Sequence, residues 1–247
     1  MNVIITSEMR VGSRWIHYLL KDLLNMMVSP ELDVSQLQNC NSLVRERFKE
    51  KRIVKFHHAT QNQIFKNIKP LDYIVIGIVR EPRDRVTSWT FHQRYKPPGQ
   101  GLKEIKKAKS DKEAVRVAFN NESAKEANER QFILMEEGFS TKKIHTQDNP
   151  FYVWTCYEWL IENANQEIYT IAKLIKPNVK KSDIARAILL NSFKKKSGRS
   201  RGMENRRDEW RRKGIIGDYV NWFDDDMIEE SEDIVKRYNE IIKKEEG

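Results

Sequence analysis

The chain has 247 residues, of which 39% are apolar and 10% aromatic, so it can form a globular domain with a sizeable core and is not intrinsically disordered. Its two cysteines cannot make a disulfide framework, and no histidines accompany them at zinc-binding spacing. The sequence shows neither a signal-peptide pattern nor an apolar run of about 18 residues that would span a membrane. These features predict a cytoplasmic protein that does not bind a membrane.

The net charge is +9, from 45 Lys and Arg against 36 Asp and Glu. This excess is local, because residues 194–213 contain ten basic and three acidic side chains, whereas residues 224–246 contain ten acidic and four basic ones. Positive charge favours an anionic partner such as a nucleotide, a nucleic acid or a membrane surface. Since the basic residues are concentrated in one segment, we expect a local anion site.

The first part of the chain alternates between apolar runs and helical patterns. Residues 2–6 (NVIIT) predict a buried strand, and residues 13–27 (SRWIHYLLKDLLNMM) predict an amphipathic helix. Residues 52–56 (RIVKF) predict a second strand, and residues 72–80 (DYIVIGIVR) form the continuous apolar run typical of a buried parallel strand. A helix follows at Pro82, because the first turn of a helix tolerates proline.

The second part predicts one strand and four helices. These are a helix over 112–137, a strand over 150–160, helices over 165–175 and 182–190, and a helix that begins near Asp224. Residues 96–113, rich in Gly, Pro and Lys, predict a mobile loop, and the basic residues 191–219 predict a loop that covers a ligand. The alternation of strands and helices predicts a single α/β domain over residues 1–247, with a central parallel β-sheet flanked by helices.

The turn after the first strand, within TSEMRVGSRW, has the features of a phosphate-binding strand–turn–helix of P-loop type. Gly12 lets the backbone approach an oxyanion, and the helix that follows supplies free N–H groups and the positive end of its dipole. Arg10, Ser13 and Arg14 add charge and a hydroxyl group. The common triphosphate loop is excluded, because it requires a second glycine and a terminal Gly-Lys-Ser/Thr. The alternative is an ordinary turn with exposed arginines.

A second candidate anion site lies in IVREPRDRVTSW. Arg80 ends a buried strand and Ser88 lies in the second turn of the helix that follows, so a guanidinium and a hydroxyl group on rigid elements can bind a phosphate. The alternative is an ion pair between Arg80 and Asp84 or Glu81.

Two further segments carry candidate functional groups. Residues 210–223 (WRRKGIIGDYVNWF) combine basic residues with two glycines, as in a flexible loop that covers a ligand or binds nucleic acid. The segment VKFHHAT places His57 and His58 at a strand end, where a histidine can act as a general base, although a histidine there is more often structural. Because the carboxyl ends of parallel strands share one edge, we expect the turns at 7–14, 57–58 and 80–82 to converge.

Together these segments resemble the cytosolic sulfotransferases that use 3′-phosphoadenosine 5′-phosphosulfate (PAPS). The family's first motif, of the form TYPKSGTTW, is similar to TSEMRVGSRW at Thr6, Gly12, Ser13 and Trp15. Its second motif, RNPKDVAVSYYHF, resembles REPRDRVTSWTFH with the spacing from arginine to serine intact. Its third, RKGxxGDW, resembles RKGIIGDY and is the most specific match.

Two looser matches extend the resemblance over almost the whole chain. VKFHHAT resembles the family's KTH catalytic strand, and YEWLIENANQEIYTIAKLI resembles its YEDLKEDPxxEIxKIxxFL segment. The resemblance implies that the chain transfers a sulfuryl group from PAPS to an acceptor and releases 3′-phosphoadenosine 5′-phosphate (PAP).

The resemblance also implies roles for particular residues. Those implied to bind PAPS are Arg10, Val11, Gly12, Ser13, Arg14, Trp15, Arg80, Ser88, Tyr157, Ser192, Phe193, Arg212, Lys213 and Gly214. In this set the first turn binds the 5′-phosphosulfate and the aromatic residues contact the adenine. Arg80, Ser88 and the basic loop (residues 210–223) bind the 3′-phosphate. The residues implied to be catalytic are His57 as general base, Lys55 and Arg10. No metal is implied, since neither a carboxylate pair nor a ligand cluster accompanies the motifs.

One position departs from the family pattern, because Arg10 stands where the first motif has a lysine. Arginine keeps the positive charge beside the leaving phosphate but does not readily donate a proton. This departure makes a protein that binds PAPS without catalysis one alternative. The shared strand–turn–helix makes a P-loop-type nucleotide or small-molecule kinase another, and the basic segment makes a nucleic-acid-binding module a third. We expect a small-molecule acceptor with a hydroxyl or amine group, with no nucleic acid as partner and no particular oligomeric state predicted.

Overall fold

The computed structural model describes most of the chain, namely residues 2–29, 32–33, 52–58, 63–64, 73–143, 152–205 and 212–246. The strands in these ranges are β1 (Asn2–Ser7), β2 (Met27–Val28), β3 (Leu32–Asp33), β4 (Arg52–His57), β5 (Tyr73–Val79), β6 (Phe139–Ser140) and β7 (Tyr152–Cys156). The helices of the first part are α1 (Ser13–Leu24), α2 (Pro82–Arg94), α3 (Lys103–Lys107), α4 (Asp111–Phe119) and α5 (Glu122–Glu137). Those of the second part are α6 (Tyr157–Glu162), α7 (Ala164–Ile175), α8 (Lys181–Leu190), α9 (Phe193–Ser197), a 3₁₀ helix at Asp218–Asn221, α10 (Asp225–Glu230) and α11 (Glu232–Glu246).

The described strands form one sheet in the order β2-β4-β1-β5-β7-β6, with β3 also paired to β4, and every pairing is parallel. The chain passes from β1 to β4 on one side and later to β5 on the other, so β1 lies at a point where the strand order reverses. Ser7, at the end of β1, pairs with His57 of β4 and with Ile78 of β5. The carboxyl ends of these three strands therefore lie side by side, where α/β sheets bind ligands.

The sheet is buried on both faces, as its apolar runs predict. Successive side chains of a strand point to opposite faces, so Ile4 packs with residues of α5 and α11, whereas Val3 and Ile5 pack with residues of α1, α7 and α8. Helices thus cover both faces of a parallel sheet, and the predicted α/β fold is confirmed. In the described ranges, no helix is long and apolar enough to cross a membrane.

Residues 96–113 are more ordered than the loop that their composition predicts. They contain α3 and the start of α4, and Ile105 is fully buried beside Val86 and Trp89 of α2. The guanidinium of Arg94 donates hydrogen bonds to the carbonyl oxygens of Ile105 (2.8 Å) and Ala108 (3.0 Å). Apolar contacts of this lysine-rich segment and hydrogen bonds from Arg94 therefore fix it to α2.

Three other boundaries differ from the prediction because local caps divide the elements. The helix expected over 112–137 is two helices, and the Asn121 side chain caps the second by accepting a hydrogen bond from the Ser123 amide (3.0 Å). The strand expected to end in a loop continues directly into α6 from Cys156. The basic segment 191–219 contains α9 and the 3₁₀ helix, while its residues 206–211 lie outside the described part.

Candidate active site

A cavity of about 540 Å³ opens at the carboxyl ends of β1, β4 and β5, and the predicted site residues converge on it. Of the sixteen predicted residues, all but Val11 and Ser192 line this cavity. Val11 is fully buried in the core beneath α1, and the Ser192 hydroxyl instead caps α9 by accepting a hydrogen bond from the Lys195 amide (3.3 Å). The predicted residues that line it are Arg10, Gly12, Ser13, Arg14, Trp15, Lys55, His57, Arg80, Ser88, Tyr157, Phe193, Arg212, Lys213 and Gly214.

The first turn directs the N-terminus of α1 toward this cavity. Gly12 has φ 87°, in the left-handed region, and a Cβ added there would lie 2.6 Å from Cδ2 of Tyr157. Glycine is therefore required both by the backbone conformation and by the close approach of the tyrosine ring. Gly12 gives α1 no side-chain cap, so no capping side chain occupies this N-terminus, and an uncapped helix N-terminus can bind an anion.

Arg80 connects two cationic loops that are far apart in the sequence. Its guanidinium donates hydrogen bonds to the carbonyl oxygens of Arg10 (3.2 Å) and Ile215 (3.0 Å), and it lies 4.3 Å from the ring centre of Tyr157. The ion pair expected with Asp84 also exists, at 3.6 Å, and Arg80 lines the cavity at the same time. In addition, Nε of Arg10 donates to the Ser88 hydroxyl (3.3 Å), which joins the first two motifs.

Two buried carboxylates hold the third motif in place. Asp218 accepts hydrogen bonds from the Arg212 guanidinium and from Nζ of Lys213 (2.7 Å). Burial raises the pKa of Asp218, but the charges and hydrogen bonds of the two cations outweigh burial and hold that pKa below its usual value. Asp84 of α2 accepts hydrogen bonds from the backbone amides of Gly217 (2.7 Å) and Tyr219 (3.1 Å), so the basic loop is fixed to the second motif.

The two adjacent histidines have different surroundings. His57 and Lys55 line the cavity, whereas His58 is not among its described lining residues. Nδ1 of His58 lies 2.6 Å from Oε2 of Glu8, whose other oxygen accepts a hydrogen bond from Nε of Arg130 (2.7 Å). The geometry therefore favours His57 over His58 as the group that faces a bound substrate.

Aromatic side chains line another part of the wall. Trp15, Tyr157 and Phe193 all face the cavity, and Nε1 of Trp15 donates a hydrogen bond to the carbonyl oxygen of Asn191 (2.8 Å). A Cβ added at Gly214 would lie 2.5 Å from the Phe193 ring, so the glycine of the third motif allows the basic loop to contact this ring. A planar ring system can therefore stack beside the cationic groups.

The lining is strongly cationic. Among its described residues, Asp218 is the one carboxylate, against nine lysine and arginine side chains: Arg10, Arg14, Lys55, Arg80, Lys96, Lys196, Arg201, Arg212 and Lys213. Lys96, Lys196 and Arg201 were not predicted as site residues, nor were Tyr18 and His92. His92 and Lys96 follow Ser88 by four and eight residues, a helical spacing that could have indicated them. No group of three or more His, Cys, Asp or Glu side chains in the described ranges is placed to hold a metal ion.

Comparisons with known proteins identify the family and agree with the fold. Residues 2–244 match the family model described as sulfotransferase domain. The fold is similar to that of mouse sulfotransferase SULT7A1 complexed with PAP, at 14% identity over 94% of this chain and 82% of that one, with a TM-score of 0.64. It is also similar to retinol dehydratase in a complex with retinol and PAP, at 17% identity over 95% and 80% of the two chains, with a TM-score of 0.62.

A second structure of retinol dehydratase, in complex with androsterone and inactive cofactor PAP, matches at 16% identity over 95% of this chain and 79% of that one, with a TM-score of 0.59. No curated protein sequence shows significant similarity to this chain. The family model covers almost the whole sequence and the fold agrees with it, so the predicted PAPS-dependent sulfotransferase is confirmed at the level of the family. The chain belongs to the sulfotransferase family.

Proposed function

We propose that the cavity binds PAPS and that the chain transfers its sulfuryl group to a hydroxyl or amine group of a small molecule. The observation that carries this proposal is the position of Arg80, which contacts both the first turn and the basic loop. The two loops thereby lie side by side in one cationic wall, which supports binding of phosphates at two positions of one nucleotide.

In this proposal the two ends of the nucleotide bind to different groups. The N-terminus of α1, with Ser13 and Arg14, binds the 5′-phosphosulfate, because helix N-termini offer free amides and a positive dipole end. Arg80, Ser88, Arg212, Lys213 and Gly214 bind the 3′-phosphate, which carries a charge of roughly −1.5 to −2 at neutral pH. The aromatic groups of Trp15, Tyr157 and Phe193 hold the adenine between them.

His57 is proposed as the general base. It accepts the proton of the acceptor hydroxyl or amine while the acceptor oxygen or nitrogen forms its bond to sulfur and the bond from sulfur to the bridging oxygen breaks. Its position at the carboxyl end of β4, beside β1, places it next to the turn that is proposed to hold the phosphosulfate. Lys55, on the same strand and in the same cavity wall, adds a fixed positive charge there.

Arg10 is proposed to stabilise the negative charge that develops on the leaving phosphate. A fixed cation that lowers the energy of a developing charge does not need to transfer its own proton, so arginine can act here electrostatically. The Arg10 backbone is held by Arg80 and its side chain by Ser88, which supports a defined position for the charge.

A small-molecule acceptor is supported by what the similar structures contain. Retinol dehydratase, which shares the fold, is found in complexes with retinol and with androsterone, in each case together with PAP. The cavity of this chain is lined by aromatic and cationic groups, a combination that suits a small acceptor beside the nucleotide.

Calorimetric titration with PAP, with AMP and ATP–Mg²⁺ as controls, tests the proposal. Binding of PAP at least about 100-fold tighter than AMP would be worth about 2.7 kcal/mol and would support the proposed 3′-phosphate site. Screening acceptors with labelled PAPS would then test transfer. Preference for ATP–Mg²⁺ would indicate a kinase, binding to long nucleic acids in preference to PAP would indicate a nucleic-acid-binding module, and PAP binding with no transfer to any acceptor would indicate a protein that has lost catalysis.

A further inference from the structure

Glu8, His58 and Arg130 form a connected group immediately behind the cavity wall that carries His57. Glu8 is 1% exposed, and its two carboxylate oxygens contact Nδ1 of His58 (2.6 Å) and Nε of Arg130 (2.7 Å). None of the three is among the described residues that line the cavity. A direct contact with a ligand in this cavity therefore does not explain why these three side chains lie together.

The contact between Glu8 and His58 continues the pairing of two strands beyond their ends. Ser7 of β1 pairs with His57 of β4, and Glu8 and His58 are the residues that follow them. The backbone amide of His58 also donates a hydrogen bond to the Ser7 carbonyl oxygen (3.2 Å). The side-chain contact thus fixes the relative position of the two strand ends at the residue that carries the proposed base.

The backbone at His58 requires such a contact. Its φ is 63°, in the left-handed region that non-glycine residues rarely adopt, so the chain turns sharply directly after His57. A strained conformation persists only where the surroundings hold it. Here the imidazole is held by Glu8, and Glu8 is held from α5 by Arg130, which also pairs with Glu126 (3.4 Å).

The charge state of the group agrees with this geometry. Burial raises the pKa of Glu8, but contacts with His58 and Arg130 outweigh burial and hold the pKa below its usual value. An ionised carboxylate can only accept hydrogen bonds, so Nδ1 of His58 carries the proton that it donates to Glu8. This fixes the orientation of the His58 ring relative to β1.

We infer that Glu8 and His58 are positioning residues, which hold the turn after β4 so that the His57 imidazole faces the acceptor. The inference rests on the proposed role of His57. It predicts that loss of the contact lowers kcat while leaving PAPS binding almost unchanged, because neither side chain lines the cavity. The competing possibility is that the Glu8–His58 pair is itself the catalytic base, with His57 in a structural role.

Four variants separate these possibilities. His58→Gly permits the left-handed backbone but removes the contact, whereas His58→Asn also tolerates that conformation and can place an amide N–H near Glu8. Glu8→Gln removes the negative charge with little change in shape. Arg237→Gln is the matched control, because Arg237 also pairs with carboxylates on α5, Glu129 and Glu136 (both 2.9 Å), without contact to Glu8.

Steady-state kinetics and PAP calorimetry give the main result. Since small displacements of a catalytic group can cost about 100-fold in rate, we expect kcat to fall at least about 10-fold in His58→Gly and Glu8→Gln. The KM for PAPS and the Kd for PAP should stay within about threefold of wild type, His58→Asn should recover most of the lost kcat, and Arg237→Gln should have the wild-type kcat. Unchanged kcat in His58→Gly and Glu8→Gln would overturn the inference, and so would equal losses of kcat and PAP affinity. A His58→Asn variant without activity, together with an active His57→Ala, would show instead that His58 is the base.

An NMR measurement tests the inference independently of turnover. In protein labelled at the histidine rings, the Cε1–H resonance of His57 should shift or broaden in Glu8→Gln and stay unchanged in Arg237→Gln. An unchanged His57 resonance in Glu8→Gln would overturn the inference. Failure of the wild-type protein to bind PAP would instead contradict the proposed function, and the NMR result would still show whether Glu8 controls the position of His57.

Discussion

Asp84→Asn tests whether the basic loop depends on the second motif for its position. The two Asp84 oxygens accept hydrogen bonds from the amides of Gly217 and Tyr219, and one of them also lies 3.6 Å from the Arg80 guanidinium. Asparagine has one oxygen, so it can retain one of the two backbone bonds. Its NH₂ group would then face the second backbone amide, and since both groups are hydrogen-bond donors, that amide would lose its acceptor.

The size of the effect follows from the lost bond. A hydrogen bond to a charged group contributes about 1.5–3 kcal/mol, and a buried amide left without an acceptor costs about 1–3 kcal/mol. A loss of about 2 kcal/mol changes the ratio of docked to undocked loop about 30-fold. Because Arg212 and Lys213 lie on this loop and are proposed to bind the 3′-phosphate, PAP affinity should fall by a factor of up to about 30, while AMP affinity should change little.

Calorimetry with PAP and AMP on the wild type and Asp84→Asn measures this difference. Asp111→Asn is the matched control, since Asp111 contacts Arg94 (2.9 Å) and the Tyr95 hydroxyl (2.9 Å) at the other end of α2, and neither of these contacts involves the basic loop. The control should keep the wild-type ratio of PAP to AMP affinity. If folded Asp84→Asn also keeps that ratio, Asp84 does not position the loop for 3′-phosphate binding, and the reasoning is wrong.

Three further predictions concern single groups in the cavity. His57→Ala should lower kcat about 100-fold or more with PAP affinity within about threefold of wild type, and a variant with near-normal kcat would reject His57 as base. Gly12→Ala should lower the affinities for PAP and AMP alike by at least about 10-fold, because the left-handed φ costs alanine about 1–2 kcal/mol and the new Cβ would meet Tyr157; unchanged calorimetric titrations would contradict this. The depressed pKa of Asp218 stabilises the fold above the unfolded-state pKa of about 4, and this stabilisation is lost as the pH falls through the lower folded-state pKa. Thermal unfolding between about pH 2 and 7 should therefore show a steeper acid-induced loss of stability for wild type than for Asp218→Asn, and parallel curves would refute the assignment.

The four longer strands, and six of the nine lysine and arginine residues that line the described cavity, were predictable because their signals are local. A buried parallel strand is a continuous apolar run, as in residues 73–79, and the residues directly after it must lie at the ligand-binding edge of the sheet. Gly12 was likewise identified from its place between a strand and a helix. The sequence also indicates the helix boundary at Asn121, because asparagine often caps the N-terminus of a helix. The prediction of a single helix over 112–137 followed instead from the long run of good helix formers on both sides of Asn121.

The contacts by which Glu8 and Asp84 join separate parts of the site were not predictable, because the partners are distant in the sequence. Glu8 contacts Arg130, which is 122 residues away, and Asp84 contacts Gly217, which is 133 residues away. The chain has 36 acidic residues, and most carboxylates in such a sequence lie on the surface. Only the fold distinguishes these buried ones. The same holds for Ile105, whose burial depends on the neighbouring α2 and not on its own lysine-rich surroundings.

Glu8, Asp84 and Asp218 are buried carboxylates that pair with arginines in the cavity wall or behind it. Several cations directed at one cavity repel each other, and the repulsion is strongest where water is excluded. Glu8 and Asp84 lie outside the described lining, so a bound anion adds its charge to theirs without displacing them. Asp218 does line the cavity and contacts the two cations proposed for the 3′-phosphate, so it must share Arg212 and Lys213 with the ligand. If the proposed function is correct, Asp218 therefore has two roles, because it holds the third motif in place and also offsets the charges of Arg212 and Lys213 that a 3′-phosphate would share.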